Sequence, residues 1–216
     1  MLNIGTLNQR SIEAMFVAGN RAAQLARPIV LDPVGAGAST LRTETASRLL
    51  DELPISVVRG NMSEIKALAG ASASTHGVDV DPADVVTEGN LIESADFACQ
   101  LARKTSAVIA ITGAIDIVAN ADRAYAVRNG SALMGKITGA GCMLSCLVGA
   151  YVAANPNERL EAVLAAVACE GLAGQQAAAR LGGHDGNASF RKYLIDAIFT
   201  MTADQLERGA MVSRVI

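Results

Sequence analysis

Charge is scarce in this sequence. Asp, Glu, Lys and Arg make up 18% of its 216 residues, against about 25% in an average soluble domain. The balance is slightly acidic, 18 basic against 21 acidic side chains. With no basic run, it argues against nucleic acid as the main partner. The four cysteines, Cys99, Cys142, Cys146 and Cys169, stand at no paired spacing, so reduced thiols are expected rather than a disulfide framework. Histidine occurs only as His76 and His184, which leaves a zinc site at Cys142 and Cys146 short of ligands. Internal repeats, low-complexity segments and a signal-peptide pattern are also lacking. A cytoplasmic chain with no membrane partner is therefore expected. The longest charge-free stretch, Ile137 to Asn157, is interrupted by Thr138, Gly139, Gly141, Ser145 and Gly149. Its most apolar part is short for a membrane span and reads as a buried helix.

What is abundant is apolar surface, at 51% hydrophobic residues. A chain of this length forms one domain or at most two. So apolar a chain can fill a large core and hide further surface in an oligomer. Strand patterns fall at Met1–Ile4, Ile29–Leu31, Ile55–Arg59 and Ala107–Ile111. Helical patterns fall at Ser11–Ala26, Arg42–Leu53, Ile65–Ala69 and Leu91–Lys104. Residues 71–89 read as a long surface loop. Strand and helix alternate up to about residue 113, which argues for right-handed βαβ units and a mainly parallel sheet. A hairpin is expected at Ile115–Val118 and Tyr125–Arg128. Three helices should follow, Cys142–Ala154, Glu158–Leu181 and Ser189–Arg208.

Ligands in such sheets bind beyond the carboxyl ends of the strands. The residues there are Asp32, Arg59-Gly60-Asn61 and Thr112-Gly113. The stretch Thr138-Gly139-Ala140-Gly141-Cys142 adds a glycine-rich entry to an apolar helix. The first N–H groups of a helix starting near Gly141 would have no intrahelical partner and could hold an anion. They could also stabilise charge developing during phosphoryl transfer. A thiolate at Cys142, in the first turn, could take a proton from a substrate hydroxyl. Asp32 and Glu64 could hold Mg²⁺, partly through water, together with nucleotide phosphates. Each also has an ordinary reading: Asp32 as a turn residue before Pro33, Glu64 as a first-turn acid favoured by the helix dipole. Gly130 to Lys136 nearly spells a phosphate-binding P-loop, but Ile137 stands where Ser or Thr is needed. We read Gly130 as a turn residue.

These pieces occur together and in order in a known family. Asn3-Ile4-Gly5-Thr6-Leu7-Asn8, Leu31-Asp32-Pro33-Val34-Gly35-Ala36-Gly37, Arg59-Gly60-Asn61-Met62-Ser63-Glu64-Ile65, Thr112-Gly113 and Thr138-Gly139-Ala140-Gly141-Cys142 resemble the motifs of hydroxyethylthiazole kinases, in the ribokinase-like superfamily. The resemblance implies a three-layer α/β/α fold with a mostly parallel sheet, forming a single kinase domain over residues 1–216. It implies transfer of the ATP γ-phosphate to the hydroxyl of 5-(2-hydroxyethyl)-4-methylthiazole in thiamine salvage. Carried over by position, Arg59, Asn61 and Thr112 would contact ATP, and Asp32 and Glu64 would support Mg²⁺. Gly139, Asp32 and Gly35 would line the thiazole alcohol site. Gly139, Ala140, Gly141 and Cys142 would form the anion hole, with Cys142 as the base. A homotrimer with sites at subunit interfaces is implied as well. Family members have a further N-terminal segment ahead of the strand at Met1, so an N-terminally incomplete domain is expected. Three rival readings remain from the residues: a related kinase of another small alcohol, a non-catalytic fragment, and a hydrolase with Cys142 as nucleophile.

Overall fold

The computed structural model describes residues 1–70 and 84–216. Most of the expected 71–89 loop lies outside the described residues. In chain order the elements are β1 (Leu2–Asn3), α1 (Gln9–Gln24), β2 (Val30–Asp32), α2 (Thr40–Glu52), β3 (Val57–Asn61), α3 (Met62–Leu68), α4 (Leu91–Thr105), β4 (Val108–Thr112), β5 (Asp116–Ala119) and β6 (Ala124–Val127). A 3-10 turn over Ala132–Lys136 follows, then α5 (Ala140–Ala154), α6 (Arg159–Ala179), α7 (Asn187–Thr200), α8 (Ala203–Gly209) and β7 (Val212–Arg214).

Among the described residues the strands form one sheet of seven in the order β1 to β7. β1 to β4 are parallel and β4 to β7 antiparallel. The strand runs are apolar without alternation because both faces are covered. Successive side chains enter opposite cores. Leu31, Val58, Ile109 and Ile111 pack with α1 to α4, whereas Val30, Val57, Val108 and Ala110 pack with α5 and α6. This is the three-layer arrangement that the family resemblance implies.

The parallel register places the functional strand ends side by side. Asn3 pairs with Asp32 across β1 and β2, and Asn61 pairs with Thr112 across β3 and β4.

Several boundaries differ from the sequence reading, each for a local reason. α1 starts two residues early because Asn8 and Ser11 form a reciprocal cap, and it ends before Ala26, whose φ is +50°. β3 runs on to Asn61, which in turn caps α3. The expected helix Ser189–Arg208 is two helices. Met201 is extended, and Thr202 starts α8 with a capping box closed by Gln205. β7 is exposed throughout, so it carries no apolar signal, yet it pairs with β6. The charge-free stretch became α5, a core helix of 15 residues. Among the described residues one helix, α6, has the length and hydropathy to cross a membrane, and 61% of its apolar window is buried inside the protein.

Candidate active site

Asp32 ends β2 and is fully buried. Burial alone would expel a carboxylate, and desolvation does raise its pKa. Arg59 opposes that rise, with Nη1 3.8 Å from Asp32 Oδ1. So do the donors on Oδ2: Ser145 Oγ of α5 at 2.8 Å and Asn3 Nδ2 at 2.8 Å. Asp32 Oδ1 is buried without a hydrogen-bond partner. Asn3 Nδ2 also reaches Cys142 Sγ at 3.3 Å, and Asn3 Oδ1 accepts from the Gly5 N–H at 2.9 Å. One amide therefore ties the exposed Cys142 to the buried Asp32.

Glu64 is a clamp between two strand-end loops. Its Oε1 accepts from the Gly35 N–H and its Oε2 from the Asn61 N–H, both at 2.8 Å. Asn61 Oδ1 returns the bond from the Glu64 N–H at 2.9 Å. Desolvation raises the Glu64 pKa against these backbone bonds. The ordinary reading of Glu64 as a first-turn acid is thus visible in the geometry. Its oxygens each keep a further lone pair. The Gly35 N–H is thereby taken by Glu64.

Arg59 joins the two sides. Its Nη2 donates to Thr112 Oγ1 at 2.7 Å. Its guanidinium lies against the start of α5, where a Cβ on Gly141 would come within 2.7 Å of Nη1. Gly139 is the N-cap of α5 at φ +95°, a conformation that favours glycine. It offers no side-chain cap, so the first-turn N–H groups of Ala140, Gly141 and Cys142 have no intrahelical acceptor. The helix begins at Ala140, two residues before the expected Cys142.

Beside this helix end lies a cavity of about 590 Å³. Arg59, Thr112, Ala140 and Gly141 form part of its wall. Asp32, Gly139, Cys142, Glu64 and Asn61 do not; Asp32 and Asn3 stand on β2 and β1, on the side of β3 away from Thr112. Of the segment set aside as a P-loop, Gly130, Ser131, Ala132, Met134 and Gly135 line the cavity. Sequence reasoning also missed Asn3, Ser145, Asp116 and Glu170 as site residues. Asp116 lies three residues after Gly113 and accepts its N–H at 2.8 Å. Glu170 is the only charged residue between Ala162 and Ala179, a signal that was readable.

The sheet is mixed, with three parallel and three antiparallel pairings rather than the mostly parallel sheet expected; covered by helices on both faces, with a helix N-terminus and an arginine at its strand ends, it fits a ribokinase-like kinase fold. Comparisons with known proteins agree. The sequence profile of the "HK: Hydroxyethylthiazole kinase family" matches residues 1–204. A hydroxyethylthiazole kinase of Clostridium acetobutylicum is 51% identical over 97% of this chain and 77% of its own length. One from Methanocella arvoryzae is 45% identical over 98% and 76%. The solved hydroxyethylthiazole kinase protein of Pyrococcus horikoshii OT3 superimposes with a TM-score of 0.82 at 35% identity, covering 99% of this chain and 76% of that one. An ADP complex of Bacillus subtilis pyridoxal kinase, 22% identical with a TM-score of 0.55, shares the fold. The chain belongs to the hydroxyethylthiazole kinase family and is a kinase.

Proposed function

We propose that this chain transfers the γ-phosphate of ATP to the hydroxyl of 5-(2-hydroxyethyl)-4-methylthiazole, a step of thiamine salvage in the cytoplasm. The observation that carries this reading is the two-sided site. Arg59 stands at the end of α5, with a nucleotide-sized cavity on one flank and the Asn3–Asp32–Cys142 cluster on the other. ATP enters the cavity against Arg59 and Thr112, with the Asn61 turn behind them. The thiazole alcohol lies at Gly139, near the loop of Asp32 and Gly35. Phosphoryl transfer needs mostly positioning and charge stabilisation. The N–H groups of Ala140, Gly141 and Cys142 are already aimed at developing charge. Cys142 takes the hydroxyl proton, and Asn3 holds its sulfur beside Asp32.

The donor set suits Mg²⁺, which favours one or two carboxylates plus waters and phosphate oxygens. Asp32 Oδ1 is the buried oxygen left without a partner. Asp32 would hold the ion directly and Glu64 through water. When bound, the ion supplies neutralisation of phosphate charge.

Residues 1–216 act as one kinase domain. Assembly into a homotrimer with sites shared at subunit interfaces is supported by the large apolar side chains left exposed, Phe199 at 89%, Val17 at 71% and Ile92 at 68%. The test is thiazole-dependent ADP release by the purified chain, with a panel of other small alcohols alongside. Release with another alcohol but not the thiazole would move the reading to a related kinase.

A further inference from the structure

Three side-chain polar atoms among the described residues are buried without a hydrogen-bond partner: Asp32 Oδ1, Arg59 Nε and Glu170 Oε1. The first two belong to the machinery already described. Glu170 does not. It lies in the apolar middle of α6, is 2% exposed, and lines the 590 Å³ cavity opposite Arg59. Asp116 lines the same cavity. A phosphate-bearing ligand would therefore meet two carboxyl groups.

Little positive charge is free to offset them. Arg59 faces both groups, but it also pairs with Asp32 and bonds Thr112. Arg128, the other cation of the cavity wall, is held by both oxygens of Glu88, at 2.7 and 3.0 Å. The remaining elements packed on α6 add none. α5, β4 and β6 carry no charged residue. Lys136 of the 3-10 turn and Arg191 and Lys192 of α7 are exposed. Asp196 of α7 pairs with Arg180, and Asp204 and Arg208 of α8 pair with each other.

We propose that Glu170 is a nucleotide-contact residue that meets the phosphates as the neutral acid, so that nucleotide binding is coupled to proton uptake at Glu170 and Asp116. This rests on the cavity being the nucleotide site. The unpartnered Glu170 oxygen then gains a phosphate acceptor for its proton. The proton comes from solvent and returns there when nucleotide leaves. Burial pushes Glu170 up to about 8 and Asp116 up to about 7, each against the pull of Arg59.

The experiment is calorimetric titration of MgATP into the chain, without acceptor, in buffers of different ionisation enthalpy from about pH 7 to about pH 9. Net proton uptake is expected, with Kd rising toward about a hundredfold per pH unit above both midpoints, one decade for each group that takes up a proton. Glu170→Gln, a permanent neutral donor, is expected to flatten the Kd profile and reduce the uptake. Parallel profiles in both proteins, or no uptake in the unmodified chain, would overturn the proposal. So would a Mn²⁺ site that is lost in Glu170→Gln. If that variant does not fold, the uptake measured on the unmodified chain decides alone. MgATP binding without uptake sinks this inference only, whereas absence of MgATP binding sinks the nucleotide site and this inference with it.

Discussion

The two flanks of Arg59 are built on opposite plans. On the Cys142 flank, the buried carboxylate Asp32 is fixed by protein: Ser145, Asn3 and Arg59 come from three different elements to hold it. Asp32 Oδ1 stays open all the same; on the cavity flank, the buried carboxyl Glu170 has only the charge of Arg59 set against its burial, with Oε1 unpartnered. The first flank is preorganised before any ligand arrives, which is what a reacting centre needs. The second is completed by its ligand. Changes on the Cys142 flank should therefore act on kcat, and changes on the cavity flank on nucleotide affinity.

The largest expected effect is at Cys142. Cys142→Ala should lower kcat by about 10²–10⁴-fold, the usual contribution of a general base, with MgATP affinity retained. Loss of MgATP binding in that variant would erase the division between flanks. Asn3→Ala comes next. It removes the donor shared by Asp32 and Cys142 and should reduce kcat by about 10–10²-fold through misplacement, again without changing MgATP affinity. Gly141→Ala tests the other flank. The added methyl must displace the Arg59 guanidinium, so KM for ATP should rise several-fold more than kcat falls.

Glu64→Gln acts on the frame beneath both. One of the two backbone N–H groups bound by Glu64 would face an amide NH₂, at a cost of about 1–3 kcal/mol. Tm should fall by several degrees, and the Mg²⁺ requirement should weaken. An unchanged Mg²⁺ titration would remove Glu64 from the ion's surroundings and leave it as the loop clamp.

A further prediction concerns stability against pH. Burial raises Glu170 from an ordinary value of 4.5 to about 8. The folded chain then binds a proton that the unfolded chain releases, so Glu170 subtracts stability as pH rises from 4.5 toward 8. Glu170→Gln lacks that loss. Its Tm relative to the unmodified chain should improve between about pH 5 and about pH 8, and a constant difference would show that Glu170 is not held neutral.

The same division governs how much could be read from the sequence. The strands were legible because burial on both faces makes them apolar throughout, as at Ile29–Leu31 and Ala107–Ile111. The strand-end positions followed from the βαβ alternation, and the structure gathers Asp32, Arg59 and Thr112 there. Asn3 was not legible as a site residue, because its part depends on the β1–β2 register that sets it beside Asp32. Ser145 looks like one small residue in a buried helix until α5 packs on β2. The break at Met201 was hidden because helical spacing continues across it, and only the Thr202–Gln205 capping box betrays it. Glu170 was readable in principle. A lone charge in an apolar helix is costly to bury without purpose, but its spacing names no motif.

The most direct test of the central claim is ADP release by the purified 216-residue chain in MgATP, with and without 5-(2-hydroxyethyl)-4-methylthiazole. Release that depends on the thiazole, and that falls sharply in Cys142→Ala while MgATP still binds, is the predicted result. MgATP binding with no thiazole-dependent release, or full activity in Cys142→Ala, would contradict it.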